Sequence, residues 1–238
     1  MTEVAMVAPD EVRTKLALAL DVDDLVVALR LARELRPWFA TAKIGLELYS
    51  AVGPDAVAAL RDLDYDVFCD LKLHDIPTTV SKAARVLGAL GASYLTLHAS
   101  GGAAMLRAGV DGLAAGAAEA GLDAPIALGV TVLTSDGSAP PHILPTRVGE
   151  AIEGGCGGIV CAAIDVREAR QYGPRLRIVV PGIRPAGVAV NDQTRAATPR
   201  DAIDAGADLL VIGRAVTAAE HPAAAAAAIA AEIASPAA

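Results

Sequence analysis

LGASYLTLHA at residues 90–99 joins a glycine, placed where a helix would end, to a short apolar strand that closes on a polar residue, His98. The same order returns in GGCGGIVCAA at 154–163 and in AGADLLVIGRA at 205–215. Working outward from these three, strand-like apolar runs fall at 15–21, 41–48, 66–73, 93–98, 125–133, 157–163, 177–182 and 208–213. Between them lie Ala-, Leu-, Arg- and Glu-rich stretches with helical spacing, such as 24–36, 55–63, 78–90 and 103–120. Thr198-Pro199 reads as an N-cap followed by proline in the first helical position. Eight strand-then-helix units in 238 residues predict an α/β protein, a single closed (β/α)8 TIM barrel, over an open doubly wound sheet. No GxGxxG follows the first strand, and the Ser138-to-Pro141 stretch is a local loop, so residues 1–238 are expected to form one domain. The alanine run 223–228 belongs to a terminal helix and carries no chemistry.

Composition removes several function classes. A hydrophobic content of 54% supports a large core, and a net charge of −8 without a basic stripe, with only seven Phe, Trp and Tyr, argues against nucleic acid as a partner. Apolar runs are broken by charge or proline short of membrane-spanning length, and the N-terminus lacks a basic segment followed by an apolar one, so the expected location is the cytoplasm. Cys69, Cys156 and Cys161 are odd in number and lack CxxC spacing, which favours core thiols over a disulfide framework or a zinc site. The histidines, His74, His98, His142 and His221, form no metal-ligand pattern.

Charges stand out where the apolar pattern should exclude them. Lys43 lies within TAKIGLEL (41–48), and Asp70, Lys72 and Asp75 lie within DVFCDLKLHDIPTT (66–79). A charge in a buried strand costs several kcal/mol unless paired, so a cluster of alternating sign reads as a built site. With period two, Asp70 and Lys72 share one strand face while Cys69, Leu71 and Leu73 take the other. Asp75 falls beyond the strand end, just before Ile76-Pro77, where a helix begins. Only four lysines accompany sixteen arginines, and lysine alone of the two can release a proton, which points to proton chemistry at Lys72.

Polar residues gather at the expected C-terminal strand ends, where barrels place their active sites: Asp21, Asp70, Lys72, His98, Ser100, Thr131, Thr134, Arg184 and Arg214. Pro181-Gly182-Ile183-Arg184 and Ile212-Gly213-Arg214 end the last two strands, where barrels build phosphate sites from backbone N–H groups, glycine and arginine. A phosphorylated substrate is implied. The polar segment 184–197, with Asn191, Asp192 and Gln193, is a candidate lid.

These motifs together resemble the orotidine 5′-monophosphate decarboxylase family, in its bacterial branch. The resemblance runs through LALD (18–21), KIGLEL (43–48), DLKLHDIPTT (70–79), HASGG (98–102), GVTVLTS (129–135), PGIRP (181–185), NDQTR (191–195) and VIGRAVT (211–217). It implies that Lys43, Asp70, Lys72 and Asp75 form the family's alternating charge array, with Lys72 the proton donor and Asp75 contributed across a homodimer interface. It further implies that Asp21 and Thr79 bind ribose hydroxyls, Thr79 from the partner, that Thr134 meets the pyrimidine, and that Gln193, Arg184, Gly213 and Arg214 hold phosphate and close the lid. The reaction implied is decarboxylation of orotidine 5′-monophosphate to uridine 5′-monophosphate, the last step of pyrimidine synthesis.

The chemistry supports those roles on its own terms. Loss of CO2 from C6 leaves an in-plane carbanion that the ring cannot delocalise, and no organic cofactor is indicated as an electron sink. An ammonium at C6 stabilises that charge and then protonates it, and carboxylates beside an amine favour the ammonium form over the free amine of a Schiff-base enzyme. The rival reading is a magnesium-dependent sugar-phosphate lyase similar to 3-keto-gulonate 6-phosphate decarboxylase or hexulose-phosphate synthase, which share D-x-K-x-x-D. Those enzymes carry an acidic metal ligand on strand two, where this chain has the cation Lys43, so no metal is expected. A non-catalytic nucleotide-binding barrel is the other alternative, weakened because every charged position is intact.

Overall fold

The computed structural model describes residues 7–133, 139–185 and 197–235. Eight parallel strands close on themselves in sequence order: β1 (Leu16–Leu20), β2 (Thr41–Ile44), β3 (Asp66–Leu73), β4 (Tyr94–His98), β5 (Ile126–Val130), β6 (Gly158–Val160), β7 (Arg177–Val180) and β8 (Leu209–Ile212), with β8 pairing back to β1. The helices outside them are α1 (Asp10–Arg13), α2 (Leu25–Leu35), α3 (Leu46–Val52), α4 (Asp55–Arg61), α5 (Pro77–Ala89), α6 (Gly102–Glu119), α7 (Ile143–Glu153), α8 (Val166–Tyr172), α9 (Pro199–Asp204), α10 (Arg214–Thr217) and α11 (Pro222–Ala234). This is the (β/α)8 barrel that the recurring glycine-then-strand units predict.

Local chemistry sets where the helices begin. Asp24 caps α2 by accepting the Val27 N–H at 3.0 Å, and the Thr198 hydroxyl caps α9 by accepting the Asp201 N–H at 3.1 Å. Pro77 and Pro199 occupy first-turn positions, where proline's missing donor costs nothing. The run read as strand over 41–48 ends at Ile44, and α3 starts at Leu46. Gly45 between them is the N-cap of α3, and a Cβ there would crowd the Asp21 carboxylate and the Lys43 ammonium.

Two apolar layers hold the barrel. Strand residues facing outward, among them Leu18, Ile44, Leu95, Leu97 and Ile178, pack with the helices into one continuous core. Burying such side chains is worth about 1.5–3 kcal/mol each. Inward-facing residues form a second cluster in which the small Ala17 and Ala19 of β1 leave space for Phe68 and Tyr94, whose rings meet edge to face at 5.9 Å. All three cysteines are unpaired and buried, as core thiols should be, and burial pushes each up to about 12. Helices α5 and α6 approach so closely that a methyl group on Gly88, Gly112 or Gly116 would run into backbone carbonyls. Among the described residues, no helix is long and apolar enough to cross a membrane.

Candidate active site

The interior plug stops short of the C-terminal strand ends, and the charged residues stand above it. In the ladder, Lys43 lies between Ala19 of β1 and Phe68 of β3, so its stem runs up the barrel wall and only its ammonium meets polar atoms. The Lys43 side chain is 8% exposed, with Nζ 2.9 Å from Asp21 Oδ1 and 3.6 Å from Asp70 Oδ2. Asp70 in turn accepts a hydrogen bond from Lys72 Nζ at 2.7 Å through Oδ1. Asp21, Lys43, Asp70 and Lys72 therefore form an unbroken line of alternating charge. Lys43 and Asp70, the two inner members, are the buried ones, and each is flanked by opposite charge, which is the condition under which buried ions are tolerated.

Asp70 responds to that setting. Burial would raise its carboxyl, but the two ammonium groups, with the hydrogen bonds from Lys72 and Thr96, more than cancel burial and hold it below the usual carboxylate value. Gly45 belongs to the same construction. A Cβ there would lie 2.7 Å from Asp21 Oδ1 and 3.1 Å from Lys43 Nζ, so a side chain would displace the first pair in the line.

The route by which Lys72 reaches Asp70 corrects the simple alternation expected for 66–73. Phe68 pairs with Tyr94 and Cys69 with Leu95, but the next partners are Leu73 and Leu97, leaving residues 70–72 opposite Thr96 alone. Within this bulge Lys72 has φ 49°, the left-handed region, which for a residue other than glycine costs of order 1–3 kcal/mol. The spacing of two still brings the charges together, through a kink instead of a regular pleat. Thr96, whose relative exposure is 0%, stands at the centre of that kink. Its only signal in the sequence was a hydroxyl two residues before His98 on an otherwise apolar strand, on the face that period two assigns to the interior.

An open cleft of about 420 Å3 runs from Asp70, Lys43 and Asp21 to Gly182, Arg184, Gly213 and Arg214. Glu47, in the first turn of α3, also lines it and was not singled out from the sequence. At the far end Gly182 adopts φ 77°, and Arg184, 7% exposed, donates from Nη1 to the Ile183 carbonyl at 3.0 Å. The Arg184 N–H also donates to the Ala197 carbonyl at 3.0 Å, and Ile183 and Ala197 form a parallel bridge, so the two ends of the candidate lid are pinned together.

Other expected residues do not join this set. Asp75 is exposed and accepts the Ile76 N–H at 2.6 Å, and Thr79 is exposed on α5. Thr134, Gln193 and most of the candidate lid lie outside the described residues. His98 lies near the array, with Nδ1 2.7 Å from the Ser100 hydroxyl and its ring stacked on His74 at 5.5 Å. Burial, followed by the charges of His74, Arg147 and Lys72, lowers its proton affinity, so His98 favours the neutral ring. Among the described residues, no three His, Cys, Asp or Glu side chains are grouped as metal ligands.

Comparison with known proteins gives one consistent result. Residues 14–229 match the family described as "Orotidine 5'-phosphate decarboxylase / HUMPS family". The chain is 46% identical over 228 residues to an orotidine 5′-phosphate decarboxylase of Anaeromyxobacter sp. (strain K), covering 91% of this chain and 97% of that one. It is 45% identical over 230 residues to the one of Thermobifida fusca, covering 92% and 95%. The crystal structure of orotidine 5′-phosphate decarboxylase from Lactobacillus acidophilus superposes with a TM-score of 0.77 at 32% identity, covering 93% of this chain and 100% of that chain.

Proposed function

The chain belongs to the orotidine 5′-phosphate decarboxylase / HUMPS family, and we propose that its line of alternating charges carries out the decarboxylation of orotidine 5′-monophosphate to uridine 5′-monophosphate. The enzyme is a carboxy-lyase of UMP biosynthesis. One observation carries the mechanism: Asp21, Lys43 and Asp70, linked at 2.9 and 3.6 Å, line the cleft whose other end holds Arg184 and Arg214, and Lys72 joins the line through Asp70 at 2.7 Å.

Arg184 and Arg214 grip the phosphate, with Gly182 and Gly213 allowing close approach, and Gln193 completes that end. Asp21 and Lys43 meet the ribose hydroxyls, which leaves the base and its C6 carboxylate against Asp70 and Lys72, with Thr134 at the pyrimidine. The C6–carboxylate bond breaks, CO2 leaves, and the bonding pair stays on C6. The Lys72 ammonium, held in place before the reaction, stabilises that pair and gives it a proton, forming C6–H and leaving a neutral amine that solvent reprotonates. Phosphate binding, far from the reacting carbon, supplies energy for alignment. Lys43 opposes the sugar-phosphate lyase alternative, because its ammonium already fills the space between the two carboxylates that a divalent cation would need.

The same reading makes the protein a homodimer, with Asp75 and Thr79 entering the partner's cleft. Both are exposed, as are Ile76, just before α5, and Val86, seven residues after Thr79 on that helix, at 66% and 57%. It treats residues 1–238 as one barrel domain and places it in the cytoplasm, where three unpaired thiols are at home.

The decisive experiment follows the absorbance change of orotidine 5′-monophosphate with purified protein, with and without chelator. Turnover that survives chelation supports the reading, and absence of turnover ends it. The shared site is tested by mixing Lys72→Ala with Asp75→Asn. Two inactive parents that regain activity on subunit exchange place Asp75 across the interface, and parents that stay inactive remove it from there.

A further inference from the structure

We propose that Thr96 is a positioning residue for this decarboxylation, whose one hydroxyl both sets the backbone kink that aims Lys72 and fixes the carboxylate that Lys72 pairs with. The inference rests on the functional reading above and adds a residue to it.

The kink removes Lys72 from the β3–β4 ladder, so its N–H has no strand carbonyl to meet. That N–H donates to Thr96 Oγ1 at 2.8 Å. Because the hydroxyl accepts there, its own proton is free to be donated, and it goes to Asp70 Oδ1 at 3.1 Å, the same oxygen that receives Lys72 Nζ at 2.7 Å. One oxygen atom thus closes a ring through the Lys72 backbone, the Lys72 side chain and Asp70. A lysine at φ 49° persists only where its surroundings over-determine it, and Thr96 is the group that does so.

Thr96 is buried on the inner face of β4, in register with Leu128 of β5 and two residues above the Tyr94 ring. With no exposed surface and its hydroxyl engaged by the Lys72 N–H and by Asp70, it acts through those two residues and does not bind the nucleotide. Valine has threonine's shape without either hydrogen bond, whereas serine keeps both. Losing them strands a buried N–H and lets the ammonium leave its place, and a displacement near 1 Å costs about 100-fold in rate.

The test compares parent, Thr96→Val and Thr96→Ser in steady-state decarboxylation, in binding of UMP, and in crystal structures. The expected result for Thr96→Val is a kcat lower by about 100-fold with KM and the Kd for UMP essentially unchanged, and recovery of most of the rate in Thr96→Ser. In the valine variant's structure, Lys72 leaves the left-handed region or its contact with Asp70 opens. A valine variant at parental kcat overturns the proposal, as does a loss shared equally by UMP binding or one that serine does not restore. Thr96→Ala carries the same comparison should valine prevent folding. If the parent itself turns nothing over, the functional reading fails, and the variant structure still decides whether Thr96 holds Lys72 in place.

Discussion

Asp70 and Arg184 face the same cleft but are held by different means. Asp70 is caught among Lys43, Lys72 and Thr96, so three side chains from three strands fix one carboxylate. Arg184 starts a connection whose ends are tied by backbone, through the Ile183–Ala197 bridge, and the neighbouring Gly182 takes a conformation that side chains resist. One end is locked by side-chain hydrogen bonds and the other is shaped by main chain. That division suits a reaction in which charge must be in place before the bond breaks, while the group that anchors the ligand has to come and go.

Substitution can break this contrast at its strong end. Lys72→Ala should lower kcat by about 10,000-fold or more, since it removes both the electrostatic partner and the proton source, while UMP still binds and the fold remains. Substantial residual turnover would mean that the locked end is not the chemical end. Arg214→Ala should act at the other end, raising KM by about 10- to 100-fold through loss of a charged hydrogen bond to phosphate, with a smaller change in kcat attributable to closure. Equal KM and kcat in parent and variant would remove Arg214 from phosphate binding.

Gly45→Ala sharpens the comparison without deleting a charge. The added methyl meets the ends of two flexible side chains, so the fold should be little affected while Asp21 and Lys43 shift, giving a measurable loss in kcat/KM with nearly parental melting. A variant with parental kinetics would show that the first pair in the line has slack. The smallest effect concerns pH. His98 has its pKa lowered on folding, so the neutral ring's contribution is complete above the unfolded value of about 6.5 and is lost as pH falls below it. Between pH 7 and 5, thermal unfolding should therefore fall less for His98→Gln than for the parent, and identical slopes would count against a depressed His98.

The barrel was legible because its period repeats. Eight apolar runs, each preceded by a turn, leave few other solutions, and the runs at 15–21, 66–73 and 208–213 fall within a residue of the strands. The error at 41–48 has a plain origin: Leu46 and Leu48 alternate as strand residues do, and that alternation does not reveal Gly45 as the N-cap of a helix. Asp70 and Lys72 were paired correctly by a spacing of two, although the contact is made through a bulge that no periodicity announces. Thr96 went unseen because threonine is an ordinary strand residue, and its role depends on where a neighbouring strand kinks. Asp75 and Thr79 stand outside the cleft of their own chain, where no argument from one strand's period could have placed them.

The three buried thiols have a practical consequence. Cys69, Cys156 and Cys161 are spread over β3 and the two flanks of β6, each sealed in the layer between sheet and helices and pushed up to about 12. Burial keeps these thiols protonated and away from reagent, so alkylation at neutral pH should follow opening of the shell. Labelling thus reports opening at two places around the ring, β3 and β6.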